Sequence, residues 1–235
     1  MIRKFLFDVD GTLTPSREKI DENFSHWLLD FFTRNDCYIV TGSDYEKTVE
    51  QIGDELCQAA VKCYNCAGNS VWVKGENVYN REIGVPEKLQ TLFDMFLDES
   101  AFPIRTGGHI EVRPGLINFS VLGRNATREQ RAEYVQWDKN TGERELMAQM
   151  ISESDFFYDV RVAGETGLDI VEYGFGKEQI IKDFDTDSHH IHFFGDKMEE
   201  GGNDYELARK VKESGNRAFN VLEWRETWAY LKDLS

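Results

Sequence analysis

Residues 4–14 read KFLFDVDGTLT, a short apolar strand closed by two acids one residue apart, Asp8 and Asp10, then Gly11 and Thr12. At i and i+2 the two carboxylates share a face while the strand persists. Beyond its end, the turn can bring both toward one point. Carboxylates pushed together repel, and one is driven toward its protonated form unless a cation sits between them. That arrangement suits a metal-bound nucleophile beside a general acid/base. A lone Asp-X-Asp is also an acidic turn closing a strand, so the remainder of the chain must choose.

Outward from this strand, strand-like and amphipathic runs alternate. Residues 22–33 predict a helix with apolar Phe24, Trp27, Leu28, Phe31 and Phe32, and 38–41 a strand. A helix over 44–56, a strand over 61–66 and a hairpin over 70–79 turning at Lys74-Gly75 follow. Such alternation predicts a parallel sheet flanked by helices, with ligands at the strand carboxyl ends, where Asp8, Asp10 and Thr41 fall. The middle differs. After a helix over 86–97, strands at 109–113 and 116–122 are joined by Pro114-Gly115. Thr127-Arg-Glu-Gln130 has capping-box form, a second helix spans 143–152, and strands follow at 156–162 and 168–171. Turn-linked strands beside helices predict an antiparallel α+β module. Alternation resumes with helix 177–184, strand 191–194, helix 203–212, strand 217–220 and helix 224–231. The expected fold class is therefore α/β: a parallel-sheet core from 1–80 and 175–235, with an α+β domain inserted at 81–174.

A net charge of −16 over 235 residues argues against nucleic acid or an anionic membrane as partner. No apolar run approaches the length of a membrane span, and the N-terminus turns acidic after seven residues, unlike a signal peptide. A cytoplasmic protein is expected. Cys63 and Cys66 have zinc-like spacing without a second pair, so free thiols are expected. His189-His190-Ile191-His192 runs directly into a strand and predicts no metal site. Against the acidic background, residues 101–131 hold Arg105, Arg113, Arg124, Arg128 and Arg131 with only Glu111 and Glu129, five positive charges against two negative.

A second acidic strand end lies far along the chain, at Gly195-Asp196, followed by Gly201-Gly202-Asn203-Asp204. If both strands join one parallel sheet, Asp8, Asp10 and Asp196 converge on one edge, an oxygen-rich site suited to Mg²⁺. Thr41-Gly42-Ser43 offers hydroxyls and backbone N–H groups to a phosphate, and Lys177 opens a helix where its ammonium can reach an anion. These four motifs resemble the haloacid dehalogenase superfamily of phosphotransferases. The blocks FLFDVDGTLTPSREKI, VTGSDYEKTVEQIG, IEVRPGLINFSVLGRNATREQR, LDIVEYGFGKEQ and FFGDKMEEGGND further resemble eukaryotic-type phosphomannomutases, over nearly the whole chain.

The resemblance implies a haloacid-dehalogenase-like core with an inserted cap, and Asp8 as the residue phosphorylated during turnover. Asp10 corresponds to the general acid/base, and Asp196 to the Mg²⁺ ligand together with the Asp8 carboxylate and the Asp10 carbonyl. Asn203 and Asp204 correspond to the surround of the metal and Lys177. Arg17, Arg113, Arg124 and Arg131 match substrate-binding arginines, and Asp169 a sugar-hydroxyl ligand. Implied partners are hexose phosphates, a hexose 1,6-bisphosphate activator and a second copy of the chain bound through the cap. Departures from the family pattern are Gly167 in place of serine, Gly176 before Lys177, His109 in place of an aromatic and an altered loop after Asp204. A mutase gives the distal-phosphate arginines a purpose, since guanidinium forks bind phosphate bidentately. A sugar-phosphate phosphatase with the same cap is the alternative, and a non-catalytic sugar-phosphate binder the third reading.

Overall fold

The computed structural model describes residues 2–154 and 157–234. The chain falls into two compact units, Met1–Arg81 with Gly174–Ser235, and Glu82–Tyr173.

The first unit, the core, is a seven-stranded sheet in the order β11-β10-β1-β2-β3-β4-β5. Its strands are β1 (Ile2–Phe7), β2 (Asp36–Val40), β3 (Lys62–Asn65), β4 (Ser70–Val73), β5 (Glu76–Asn80), β10 (His189–Gly195) and β11 (Arg217–Asn220). The strands from β11 through β3 are parallel, and β4 and β5 add an antiparallel hairpin. Period-two alternation divides β1 between two cores: Phe5 and Phe7 pack on one face, Leu6 on the other. The first face is covered by α1 (Glu22–Arg34), α2 (Tyr45–Ile52), α3 (Asp54–Ala59) and α8 (Trp224–Leu234). The second lies under α7 (Tyr205–Glu213) and a 3₁₀ helix, Lys177–Asp183. Burying a side chain such as Phe5 or Phe194 contributes about 1.5–3 kcal/mol. Two expectations change here. The helix expected over 44–56 breaks at Gly53, whose φ of 86° terminates α2 as its N–H caps the Val49 carbonyl. The segment after Gly176 is 3₁₀ rather than α.

The second unit, the cap, is a four-stranded antiparallel sheet, β6-β7-β9-β8. It contains β6 (Ile110–Arg113), β7 (Leu116–Phe119), β8 (Tyr158–Ala163) and β9 (Gly167–Glu172), with α4 (Glu87–Glu99), α5 (Arg128–Thr141) and α6 (Glu143–Ser152). The capping box forms at Thr127 and Gln130. Of the strand expected over 156–162, Phe156 lies outside the described residues. Ile117, Phe119, Leu168 and Ile170 face a core with Phe93, Phe96 and Tyr134, so the alternate residues Asn118 and Asp169 lie on the other, polar face.

Candidate active site

Parallel register sets the core site. Phe7 pairs with Phe194, and the Asp8 N–H donates to the Phe194 carbonyl at 2.9 Å. Asp8 and Asp196 are thus carried past two neighbouring strand ends, where carboxylate oxygens of Asp8, Asp196 and Asp204 lie within 4.8 Å of one another. Lys177 donates to Asp8 Oδ1 at 2.5 Å and to Asp204 Oδ1 at 2.7 Å. All three of these groups are dehydrated, with exposures of 3%, 3% and 0% for Asp8, Lys177 and Asp204. Burial pushes the Asp8 carboxyl upward, and the Lys177 ammonium pulls against it. Burial also works against the Lys177 charge, but Asp204 and Asp8 outweigh it and raise the ammonium above its ordinary value. The lysine therefore keeps its proton. Asp196, half-buried, is raised by burial and then by the Asp204 charge.

Two glycines make the convergence possible. A side chain at Gly11, which has φ 81°, would run into the Asp196 carboxylate, and one at Gly195 into Asp204. Asp10 is oriented differently from Asp8: its Oδ1 accepts the Arg17 N–H at 2.6 Å and the Gln51 side-chain amide at 2.8 Å. Its carboxylate is not among the three that converge. Arg17, at φ 62°, is exposed. Thr41 is buried beyond β2, where its Oγ1 accepts the Ser43 N–H at 3.1 Å. Asn203 is exposed, whereas Asp204 Oδ2 accepts the Lys197 N–H. A cleft of about 550 Å³ in the core is lined by Gly11, Thr14, Ser16, Lys19, Asp196 and Arg225 among others. Thr12, named from the sequence without a role, donates to Asp8 Oδ2 at 3.3 Å, and Gln51 was not singled out there at all. A polar residue on a helix face carries no pattern that marks it.

A divalent cation fits this donor set. Three carboxylates, two buried and one half-buried, gather around the single buried ammonium of Lys177 and leave an excess of negative charge. The oxygen-only donors suit a hard ion. Among the described residues no comparable Cys/His cluster exists, and all four cysteines are buried.

In the cap, Arg113 donates from Nε and a terminal nitrogen to the two oxygens of Glu111, each at 3.0 Å. Glu111 also pairs with Arg124, and Arg131 donates to the Arg124 carbonyl at 3.1 Å. The three arginines named from the sequence are therefore neighbours. Arg105 is set apart: its guanidinium caps the end of α4, donating to the carbonyls of Leu97, Ser100, Phe102 and Ile104. Asp169 lies opposite Asn118 on β7 and Arg161 on β8, and the Asn118 amide donates to its Oδ1 at 2.7 Å. His109 Nδ1–H donates to the Ser120 carbonyl at 2.9 Å.

A family model described as eukaryotic phosphomannomutase matches residues 25–233, a span beginning after Asp8 and Asp10. The chain is 33% identical over 219 residues to a probable phosphomannomutase of Caenorhabditis elegans, covering 86% of this chain and 84% of that one. With the phosphomannomutase of Saccharomyces cerevisiae it shares 33% identity over 213 residues, 86% and 83% of the two chains. Among solved structures, Aspergillus fumigatus trehalose-6-phosphate phosphatase matches with a TM-score of 0.61, over 99% of this chain and 92% of that one. At 17% identity that likeness concerns the fold.

Proposed function

The chain belongs to the eukaryotic phosphomannomutase family, and on that premise we propose that it interconverts mannose 6-phosphate and mannose 1-phosphate. The observation that carries this reading is a buried Asp8 gripped by Lys177 in the core, together with three neighbouring arginines in the cap. Asp8 attacks a phosphoryl group of hexose 1,6-bisphosphate, forming an aspartyl phosphate as the bond to the sugar oxygen breaks. Asp10 gives its proton to that oxygen and later removes one from the hydroxyl that takes the phosphoryl back. The Arg17 N–H and the Gln51 amide both bind Asp10 through Oδ1, which leaves Oδ2 to exchange the proton. Lys177 offsets the charge on Asp8 and on the phosphoryl oxygens. Thr41 and Ser43 supply their hydroxyls to the same oxygens, their own N–H groups being taken by the Tyr64 carbonyl and the Thr41 hydroxyl.

Asp8 and Asp196, with the Asp10 carbonyl, would hold Mg²⁺, and Asp204 and Asn203 would support them. When bound, the ion withdraws charge from the transferring phosphoryl. We assign the non-reacting phosphate to Arg113, Arg124 and Arg131 of the cap, a sugar hydroxyl to Asp169, and to Arg17 of the core a separate part in binding substrate. A phosphatase acting on a sugar monophosphate has less need of a second phosphate site, and this favours the mutase. Among the described residues no helix is long and apolar enough to cross a membrane. We further propose a cytoplasmic homodimer formed through the cap, which leaves Val112, Phe157 and Val162 exposed. Light scattering of the purified protein tests the dimer. The function is tested with mannose 1-phosphate, with and without a hexose 1,6-bisphosphate. Mannose 6-phosphate should accumulate when the bisphosphate is present. Steady release of inorganic phosphate without any isomer would refute the proposal.

A further inference from the structure

One polar contact on the cap sheet is built more deliberately than its neighbours. Asn118 of β7 and Asp169 of β9 stand directly opposite each other in register. The Asn118 Nδ2 donates to Asp169 Oδ1 at 2.7 Å and to the Leu168 carbonyl at 3.2 Å. A cationic partner is close by but directed elsewhere. Arg161, across from Asp169 on β8, turns along its own strand to Asp159 at 2.9 Å. Asp169 is thus oriented by a neutral donor that occupies one carboxylate oxygen, leaving the other to accept from a ligand.

The space for this amide comes from Gly167. A Cβ at Gly167 would stand 2.9 Å from Asn118 Nδ2 and 3.3 Å from its Oδ1. The φ of Gly167 is not positive, so its backbone has no need of glycine. What glycine provides is room for the Asn118 side chain to lie against β9. Charge explains why the donor is neutral. An arginine at 118 would neutralise Asp169 and compete with a weak, uncharged hydroxyl donor. An amide fixes the rotamer and leaves the carboxylate charge available, and hydrogen bonds to charged acceptors are the stronger kind.

We propose that Asn118, in the space left by Gly167, is the positioning residue that holds Asp169 for a hydroxyl of the hexose and so helps set which sugar is accepted. The inference rests on the proposed role of Asp169, and the experiment separates the two. The KM and kcat for mannose 1-phosphate, and for its 2-, 3- and 4-deoxy analogues, are measured in Asn118→Ala, Gly167→Ala, Asp169→Ala and the two double variants with Asp169→Ala. Gly167→Ala keeps every hydrogen-bonding group and displaces only the flexible end of Asn118, so it stands in should Asn118→Ala fold poorly.

Asn118→Ala and Gly167→Ala should each raise KM about tenfold with little change in kcat, the size expected for one hydrogen bond to a charged group. Both effects should vanish in the Asp169→Ala background and on the one deoxy analogue that lacks the recognised hydroxyl. Wild-type KM in both single variants, or losses undiminished in the double variants or on every analogue, would overturn the positioning role while leaving Asp169 in place. An Asp169→Ala enzyme with unaltered KM on every substrate would remove the Asp169 reading and this inference together.

Discussion

The core and the cap each gather charge, but they hold it differently. In the core, Lys177 binds Asp8 and Asp204 at 2.5 and 2.7 Å with all three side chains nearly inaccessible to water. In the cap, Arg113, Arg124 and Glu111 form their pairs with side chains 40%, 39% and 37% exposed. Removing one partner of a buried pair costs about 3–5 kcal/mol because it leaves a charge stranded. Exposed pairs are worth about 0–1 kcal/mol. The core cluster is accordingly set before any substrate arrives. The cap pairs are weak enough to be exchanged for a phosphate, which offers oxygens of the same kind in greater number.

The largest expected effect breaks the core side of this contrast. Asp8→Asn should abolish phosphoryl transfer, a loss of at least about four orders of magnitude in kcat for a missing covalent nucleophile. Its circular dichroism should stay native, since Lys177 keeps Asp204 as a partner and the cluster loses one repelling acid. Retention of more than about a hundredth of wild-type turnover would remove Asp8 from its role. Chelation comes next. Activity should fall to background with excess chelator and return with Mg²⁺ but poorly with Zn²⁺, because the converging donors are all oxygen. Full activity in chelator would contradict the cation.

The cap side calls for smaller numbers. Arg113→Ala or Arg124→Ala should lower bisphosphate-dependent mutase turnover by about 10- to 150-fold, the equivalent of about 1.5–3 kcal/mol for a charge-assisted contact. Hydrolysis of acetyl phosphate, which carries no second phosphate, should fall far less. A parallel fall in both activities would make these arginines structural. Arg105 sharpens the comparison from within the same positive run. Arg105→Ala removes four bonds to carbonyls at the end of α4 and in the segment that follows it. It should cost about 2 kcal/mol of cap stability in denaturant unfolding and leave the ratio of the two activities near wild type. A selective loss of mutase activity would instead move Arg105 into the phosphate site.

Much of this contrast was readable in advance, and the exceptions have physical reasons. The apolar run through Phe5, Leu6 and Phe7 announced a strand, and β1 forms there with both faces buried. Thr127 and Gln130 announced a capping box, which forms. The apolar spacing through 44–56 concealed the break at Gly53, because helical periodicity says nothing of a glycine that chooses a positive φ. The positive run at 101–131 looked uniform, yet Arg105 turns to backbone carbonyls while Arg113 and Arg124 share Glu111. A side chain's partner depends on where the chain folds back, and charge counts do not carry that.

By itself the sequence determined which residues could do the chemistry. Acids at two strand ends, a lysine opening a segment and arginines concentrated in one stretch are local facts, written in residue type and short-range spacing. Tertiary structure decided which of them meet. Parallel register between β1 and β10 brought Asp196 to Asp8 across nearly the length of the chain. The path of the backbone kept the Asp10 carboxylate out of that cluster, held instead by Gln51 and the Arg17 N–H. Antiparallel register between β7 and β9 put Asn118 against Asp169. Contacts of this kind arise from strand pairing between distant segments. No local pattern of side chains encodes the register that makes them.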